Sequence, residues 1–214
     1  MTRRTYAGES DDARRARRRQ ELLTTALVIL AERGRDGLSI DALCNSAALN
    51  KRYFYESFPN LDQLVAELMS ELASEAIEAA LAELPQGRPD EDSARPAVSA
   101  FIEYLTDDPR RGRVLFGAVP AGDAAAEHRN VALRRIITTV AEQGRDMYEL
   151  DSDARIDIAA AIMVGGASQA VLDWLDGRVG GTRDELVDEL VSTWLAMADA
   201  TVARLAGAHV GVPR

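Results

Sequence analysis

Leu22, Leu23, Ala26, Leu27 and Leu30 recur at steps of three and four, the spacing that lines one face of an α-helix. The pattern predicts a first helix from about Asp12 to Arg33, stopped by Gly34 and Gly37. Ser39 is placed to cap a short second helix, Ile40 to Ala47, with Ile40, Leu43 and Ala47 inward. A turn follows at Ala48-Leu49. Asn50 then caps a third helix, Lys51 to Phe58, with Phe54 and Phe58 in the core. Pro59 ends it, and Asn60 caps a fourth helix to about Ala82 that buries Leu64, Leu68 and Leu72.

Residues 85–96 are rich in proline and acid and read as a loop. Five further helical segments follow, at about 97–106, 110–117, 127–149, 153–177 and 183–206, with Gly112, Gly117, Pro120 and Gly122 as breaks in the middle. Thr182 and Glu185 have the spacing of a capping box for the last helix. The expectation is an all-α chain of about nine helices, without strands or internal repeats. Composition agrees: 47% of residues are hydrophobic, only 5% are aromatic, and alanine and leucine supply most of the apolar set.

Charge divides the chain. The formal net charge is −10, which by itself argues against a nucleic-acid partner. Residues 1–65, however, hold 11 basic and 9 acidic residues, whereas the remainder holds 14 and 26. The acid lies outside the first segment, as in a nucleic-acid module joined to an acidic body. Residues 1–11, with Arg3 and Arg4, read as a disordered arm able to reach a minor groove. Arg14, Arg15, Arg17, Arg18 and Arg19 crowd the first turns of the first helix. Cations are unfavourable at that positive dipole end, and a nearby phosphate backbone accounts for them.

Two short helices joined by a tight turn, the second opening on polar and basic residues, form a helix-turn-helix pattern. Such a reader enters the major groove N-terminus first. Its base-facing edge is Asn50, Lys51, Arg52 and Tyr53, with Arg52 or Lys51 suited to guanine. Tyr55, further on, is suited to a phosphate.

The stretch SIDALCNSAALNKRYFYESFPNLDQLV, residues 39–65, resembles the DNA-binding signature of the tetracycline-repressor (TetR) family. Ser39, Tyr55, Phe58, Pro59 and Asn60 fall on matching positions. The resemblance is specific over about residues 15–70 and weaker at 108–119 and in the last two helices. It implies an all-helical homodimer that binds a palindromic operator and changes its grip when a small molecule enters the C-terminal domain. Two positions depart from the family pattern. Ala48 stands where glycine is usual, so a left-handed turn there costs roughly 1–2 kcal/mol or is reshaped. Leu61 stands where a phosphate-touching lysine is usual, which leaves backbone N–H groups near Asn60 and Leu61, and Arg15, as the phosphate clamp.

The domains expected are 1–60, a three-helix helix-turn-helix unit with its arm, and 61–214, an effector-binding and dimerisation unit. The last two helices carry broad apolar and small-residue stripes, including Ala159, Ala160, Met163, Gly165, Gly166 and Trp174, then Leu186, Leu190, Val191 and Trp194. Paired across a two-fold axis they make a four-helix bundle. Candidate effector contacts are Phe101, Tyr104, Phe116, Met147, Met163, Gln169 and Trp174, a lining suited to an apolar or aromatic molecule.

No catalytic constellation, metal motif or cofactor loop stands out, and His128 and His209 are isolated. Cys44, the single cysteine, excludes an intrachain disulfide and fits a reducing cytoplasm as a buried small apolar residue. The arginine-rich start lacks an apolar signal core, and no run of 18 apolar residues suggests a membrane span. The reading is a cytoplasmic, ligand-responsive repressor. A constitutive DNA-binding regulator without an effector, and a helical interaction module with a vestigial reader, stay open.

Overall fold

The computed structural model describes residues 11–117 and 124–210. Arg3 and Arg4 of the expected arm, and Pro120 and Gly122 of the expected breaks, lie outside them. Among the described residues the chain is all-α: α1 (Asp11–Arg33), a 3-10 turn (Arg35–Gly37), α2 (Ile40–Ser46), α3 (Lys51–Ser57), α4 (Leu61–Ala82), α5 (Glu91–Asp107), α6 (Pro109–Phe116), α7 (Ala124–Met147), α8 (Ala154–Leu175) and α9 (Arg183–Val210). The chain divides into two compact units, Met1–Leu68 and Met69–Arg214. The first unit therefore takes in the opening turns of α4 as well as the residues up to 60.

In the first unit α1 packs on α2 and α3. The core is Leu22, Leu23, Ala26, Leu27, Ile29, Leu43, Phe54, Phe58, Leu64 and Val65. Ile29 rather than Leu30 completes the α1 stripe; Leu30 is half-buried. The caps follow the sequence closely because each is a local hydrogen bond. Ser39 Oγ accepts from the Ala42 amide at 3.1 Å, Asn50 Oδ1 from Tyr53 at 3.2 Å and Asn60 Oδ1 from Gln63 at 2.8 Å. Ala48 sits at φ 52°, in the left-handed region. The turn thus keeps its shape, closed by Leu49 N–H donating to Cys44 O at 2.9 Å, and holds the strain.

The second unit is built from the rest of α4 and from α5 to α9, with α7 on α8, α5 on α9, and α6 against α5 and α8. Two expectations need correction. The loop assigned to 85–96 ends at Asp90: α5 begins at Glu91, because Asp90 and Ser93 form a reciprocal capping box. Pro96 inside that helix removes one backbone donor, opposite the carbonyl of Asp92, which is exposed to solvent. Gly112 is not a break but a point of close approach within α6. A Cβ there would lie 2.8 Å from Leu175 Cδ1 and 3.1 Å from the Leu105 carbonyl. The capping box expected at Thr182 and Glu185 is present, with Glu185 N–H donating to Thr182 Oγ1 at 3.2 Å.

One face of α8 is open. Ile158 and Ile162 are 59% and 58% exposed. Gly165 and Gly166 are exposed, and a Cβ added at either would meet nothing within 4 Å. Among the described residues α8 is also the one helix long and apolar enough, by length and composition, to cross a membrane.

Candidate functional site

The exposed edge of the first unit is the start of α3. Asn50 spends its side-chain oxygen on the helix cap and is itself exposed. Lys51 Nζ lies 2.7 Å from Asp41 Oδ1 of α2, and this hydrogen bond holds its ammonium pKa above the usual lysine range. Arg52 is 82% exposed and donates from Nε to Glu56 Oε1 at 2.9 Å. Tyr55 is 59% exposed, its ring edge-on to buried Phe54 at 5.3 Å between centroids. Tyr53 is half-buried, with the Arg18 guanidinium 4.3 Å over its ring.

The arginine cluster of α1 therefore splits by role. Arg19 is structural: Nη1 donates to the Ser57 carbonyl at 2.5 Å, the guanidinium lies 4.2 Å over Phe58, and Glu67 of α4 pairs with it. Arg18 packs on Tyr53 and lies 3.9 Å from Glu56. Arg14 pairs with Asp11, which holds that carboxyl below the usual range. Arg15 is exposed. At the opening of α4, exposed Asn60 caps and half-buried Leu61 follows. Cys44 is buried, and burial, then Asp41, pushes its thiol pKa up. Sequence reading missed Asp41 and Glu56, which neutralise the two cations of the reading edge. The i,i+4 spacing of Arg52 and Glu56 was visible; the Asp41 pairing depends on how α2 meets α3.

The second unit contains a cavity of about 180 Å³ with an almost wholly apolar wall. Phe101, Phe116, Met147 and Met163 line it together with Ile77, Leu81, Leu84, Val98 and Trp194. Three other sequence candidates lie elsewhere. Tyr104 donates its hydroxyl to Glu75 Oε2 at 2.8 Å, and burial, followed by that carboxylate, pushes its pKa up. Trp174 donates Nε1 to the Gly181 carbonyl at 3.0 Å and so closes the loop before α9. Gln169 is exposed, donates to Asp173 Oδ1 at 3.0 Å and borders a second space beside Arg129 and Phe116. Helical spacing showed which residues are apolar but not where packing leaves a gap. Tyr148, Gln143 and Trp194, which also line the cavity, as do Thr139 and Ser168, were not singled out as contacts. Among the described residues no group of three or more His, Cys, Asp or Glu is placed to hold a metal ion.

A capped two-helix reader with an exposed, cationic second helix, joined in sequence to a helical body, defines a helix-turn-helix transcription regulator. Residues 22–68 match the family model of bacterial regulatory proteins, tetR family. No curated protein matches it. Solved structures share its fold at low identity. A TetR-family transcriptional regulator from Streptomyces coelicolor is 19% identical with a TM-score of 0.68, over 88% of this chain and 83% of that one. One from Syntrophomonas wolfei is 15% identical with a TM-score of 0.70, over 86% and 95%. The regulator FadR of Bacillus subtilis, solved in complex with stearoyl-CoA, is 14% identical with a TM-score of 0.67, over 83% and 98%.

Proposed function

We propose that this protein is a cytoplasmic, ligand-responsive transcriptional repressor, a homodimer that binds a palindromic operator and is released by a small apolar or aromatic effector. The observation that carries the reading is the apolar cavity of the second unit. A constitutive DNA-binding protein has no need of one, and its body is better stabilised by a filled core. The exposed edge of α3 supports the other half: Arg52 and Lys51 read bases, Asn50 and Tyr53 flank them, and Tyr55 holds a phosphate. Ser39, Arg15, Asn60 and Leu61 complete the phosphate contacts through hydroxyl, guanidinium and helix-start N–H groups. That FadR of Bacillus subtilis was solved with stearoyl-CoA is a precedent for an apolar chain in this fold.

Dimerisation through α8 and α9 is supported by the exposed Ile158 and Ile162 and the open space at Gly165, Gly166 and Gly207. Hiding each isoleucine in a two-fold contact is worth about 2–3 kcal/mol. The same face makes a membrane unnecessary as an explanation for the apolar length of α8. The effector acts through α4, whose residues 61–68 belong to the reader and 69–82 to the body. A full switch from 99:1 to 1:99 requires about 5.5 kcal/mol of differential affinity between the two states.

The test is operator affinity, measured by fluorescence anisotropy, during titration with a compound shown by calorimetry to bind the second unit. A rise of ten-fold or more in operator Kd supports the proposal. A ligand that binds while operator affinity stays constant refutes it.

A further inference from the structure

Among the described residues the cavity wall carries no charged side chain. It carries one polar group in an anomalous state: the Tyr148 hydroxyl is buried and has no hydrogen-bond partner among the described residues. A buried unmet hydroxyl is destabilising, and a well-packed protein avoids it unless something else supplies the partner. Ser168, also in the wall, already donates to the Val164 carbonyl at 2.7 Å. Gln143 lies on the same face of α7 as Gly144, Met147 and Tyr148, and adds an amide nearby.

The charges closest to Tyr148 cancel. The Arg88 guanidinium lies 5.3 Å over its ring and donates from Nη2 to Asp199 Oδ1 at 2.8 Å. Burial, and then Asp199, raise the phenol's pKa above its ordinary value, so it keeps its proton and acts as a donor.

The geometry points to an uncharged, mainly apolar effector carrying one hydrogen-bond acceptor, the oxygen of a ketone, ester or ether, bonded by the Tyr148 hydroxyl. This rests on the reading of the second unit as the effector domain and narrows it. A carboxylate entering the same space loses its hydration against an uncharged wall, and Arg88 is already committed to Asp199. A pure hydrocarbon leaves the hydroxyl as unsatisfied as it found it. Neither matches the wall as a neutral acceptor does.

The probes are methyl hexyl ketone and octanoate, two eight-carbon molecules that differ in charge, titrated into the full chain by calorimetry and by quenching of tryptophan fluorescence, to which Trp194 of the wall contributes. The ketone is expected to bind at least about ten-fold more tightly than octanoate at neutral pH. Tyr148→Phe, nearly isosteric, is expected to weaken the ketone roughly five- to ten-fold and to leave octanoate unchanged. Met163→Trp, which fills the space, is expected to abolish ketone binding. Octanoate binding as tightly as the ketone, ketone binding indifferent to Tyr148→Phe or to Met163→Trp, or no ketone binding up to millimolar concentration overturns the inference. Operator affinity measured in parallel separates the two readings. A ketone that binds without changing operator affinity removes the regulatory reading and leaves the ligand class standing. Octanoate that binds better and releases operator does the reverse.

Discussion

Ala48→Gly tests the reasoning about the reader's turn. Ala48 holds φ 52°, and its side chain is exposed. An L-residue in the left-handed region suffers roughly 1–2 kcal/mol of clash between Cβ and the carbonyl oxygen. Glycine removes the clash but gives the unfolded chain more freedom, a penalty of about 0.4–1 kcal/mol. The methyl group buries almost nothing, so no packing is lost. The net expectation is a gain of about 0.5–1 kcal/mol. The hydrogen bonds of the turn, Leu49 N–H to Cys44 O and Ala48 N–H to Asn45 O, are already formed, so operator affinity should not change. Urea unfolding followed by circular dichroism, at fixed protein concentration, reads the effect as a higher midpoint at unchanged slope. Ala48→Val should move the midpoint the other way, because a branched side chain fits that region worst. A midpoint that is unchanged or lowered in Ala48→Gly refutes the strain argument.

Other outcomes follow from the same geometry. Arg52→Ala should cost operator binding about 1–3 kcal/mol and relax sequence preference at one position, whereas Tyr55→Phe should weaken all duplexes about equally; a change of preference in Tyr55→Phe would reverse the two roles. Arg19→Met should destabilise the first unit by about 2 kcal/mol through loss of the Ser57 carbonyl bond, the Phe58 ring contact and the Glu67 pair, read by thermal unfolding. Ile162→Glu should shift the chain to monomer in analytical ultracentrifugation and weaken operator binding with it. Asp41→Asn should free Lys51 and tighten binding to unrelated duplexes, with a steeper salt dependence, in anisotropy titrations at several salt concentrations.

What the sequence made legible was what is local. Ser39, Asn50 and Asn60 each accept from the amide three residues on, so their caps can be read from spacing alone. Phe54 lies on the core face because the period of α3 puts it there, and Phe58, the residue that ends the helix, is buried beside it. The start of α5 was missed because Pro96 and the acidic run outweighed the Asp90 and Ser93 pair. The cavity was only half legible for a different reason. Phe101, Phe116, Met147 and Met163 show apolar character in any window, but a gap is a property of several helices packed together. Tyr104 and Trp174 look like equally good wall residues until their hydroxyl and indole are seen bonded to Glu75 and to the Gly181 carbonyl. Tyr148 differs from them in lacking such a partner among the described residues, which no spacing announces.

The central claim is that this chain reads operator DNA as a two-fold dimer through the edge of α3. Selection of duplexes from a randomised pool by the purified full chain tests it most directly. The account predicts an enriched inverted repeat whose enrichment is lost at one base pair per half-site in Arg52→Ala. A pool that stays random after repeated selection, or that yields a site indifferent to Arg52, contradicts it.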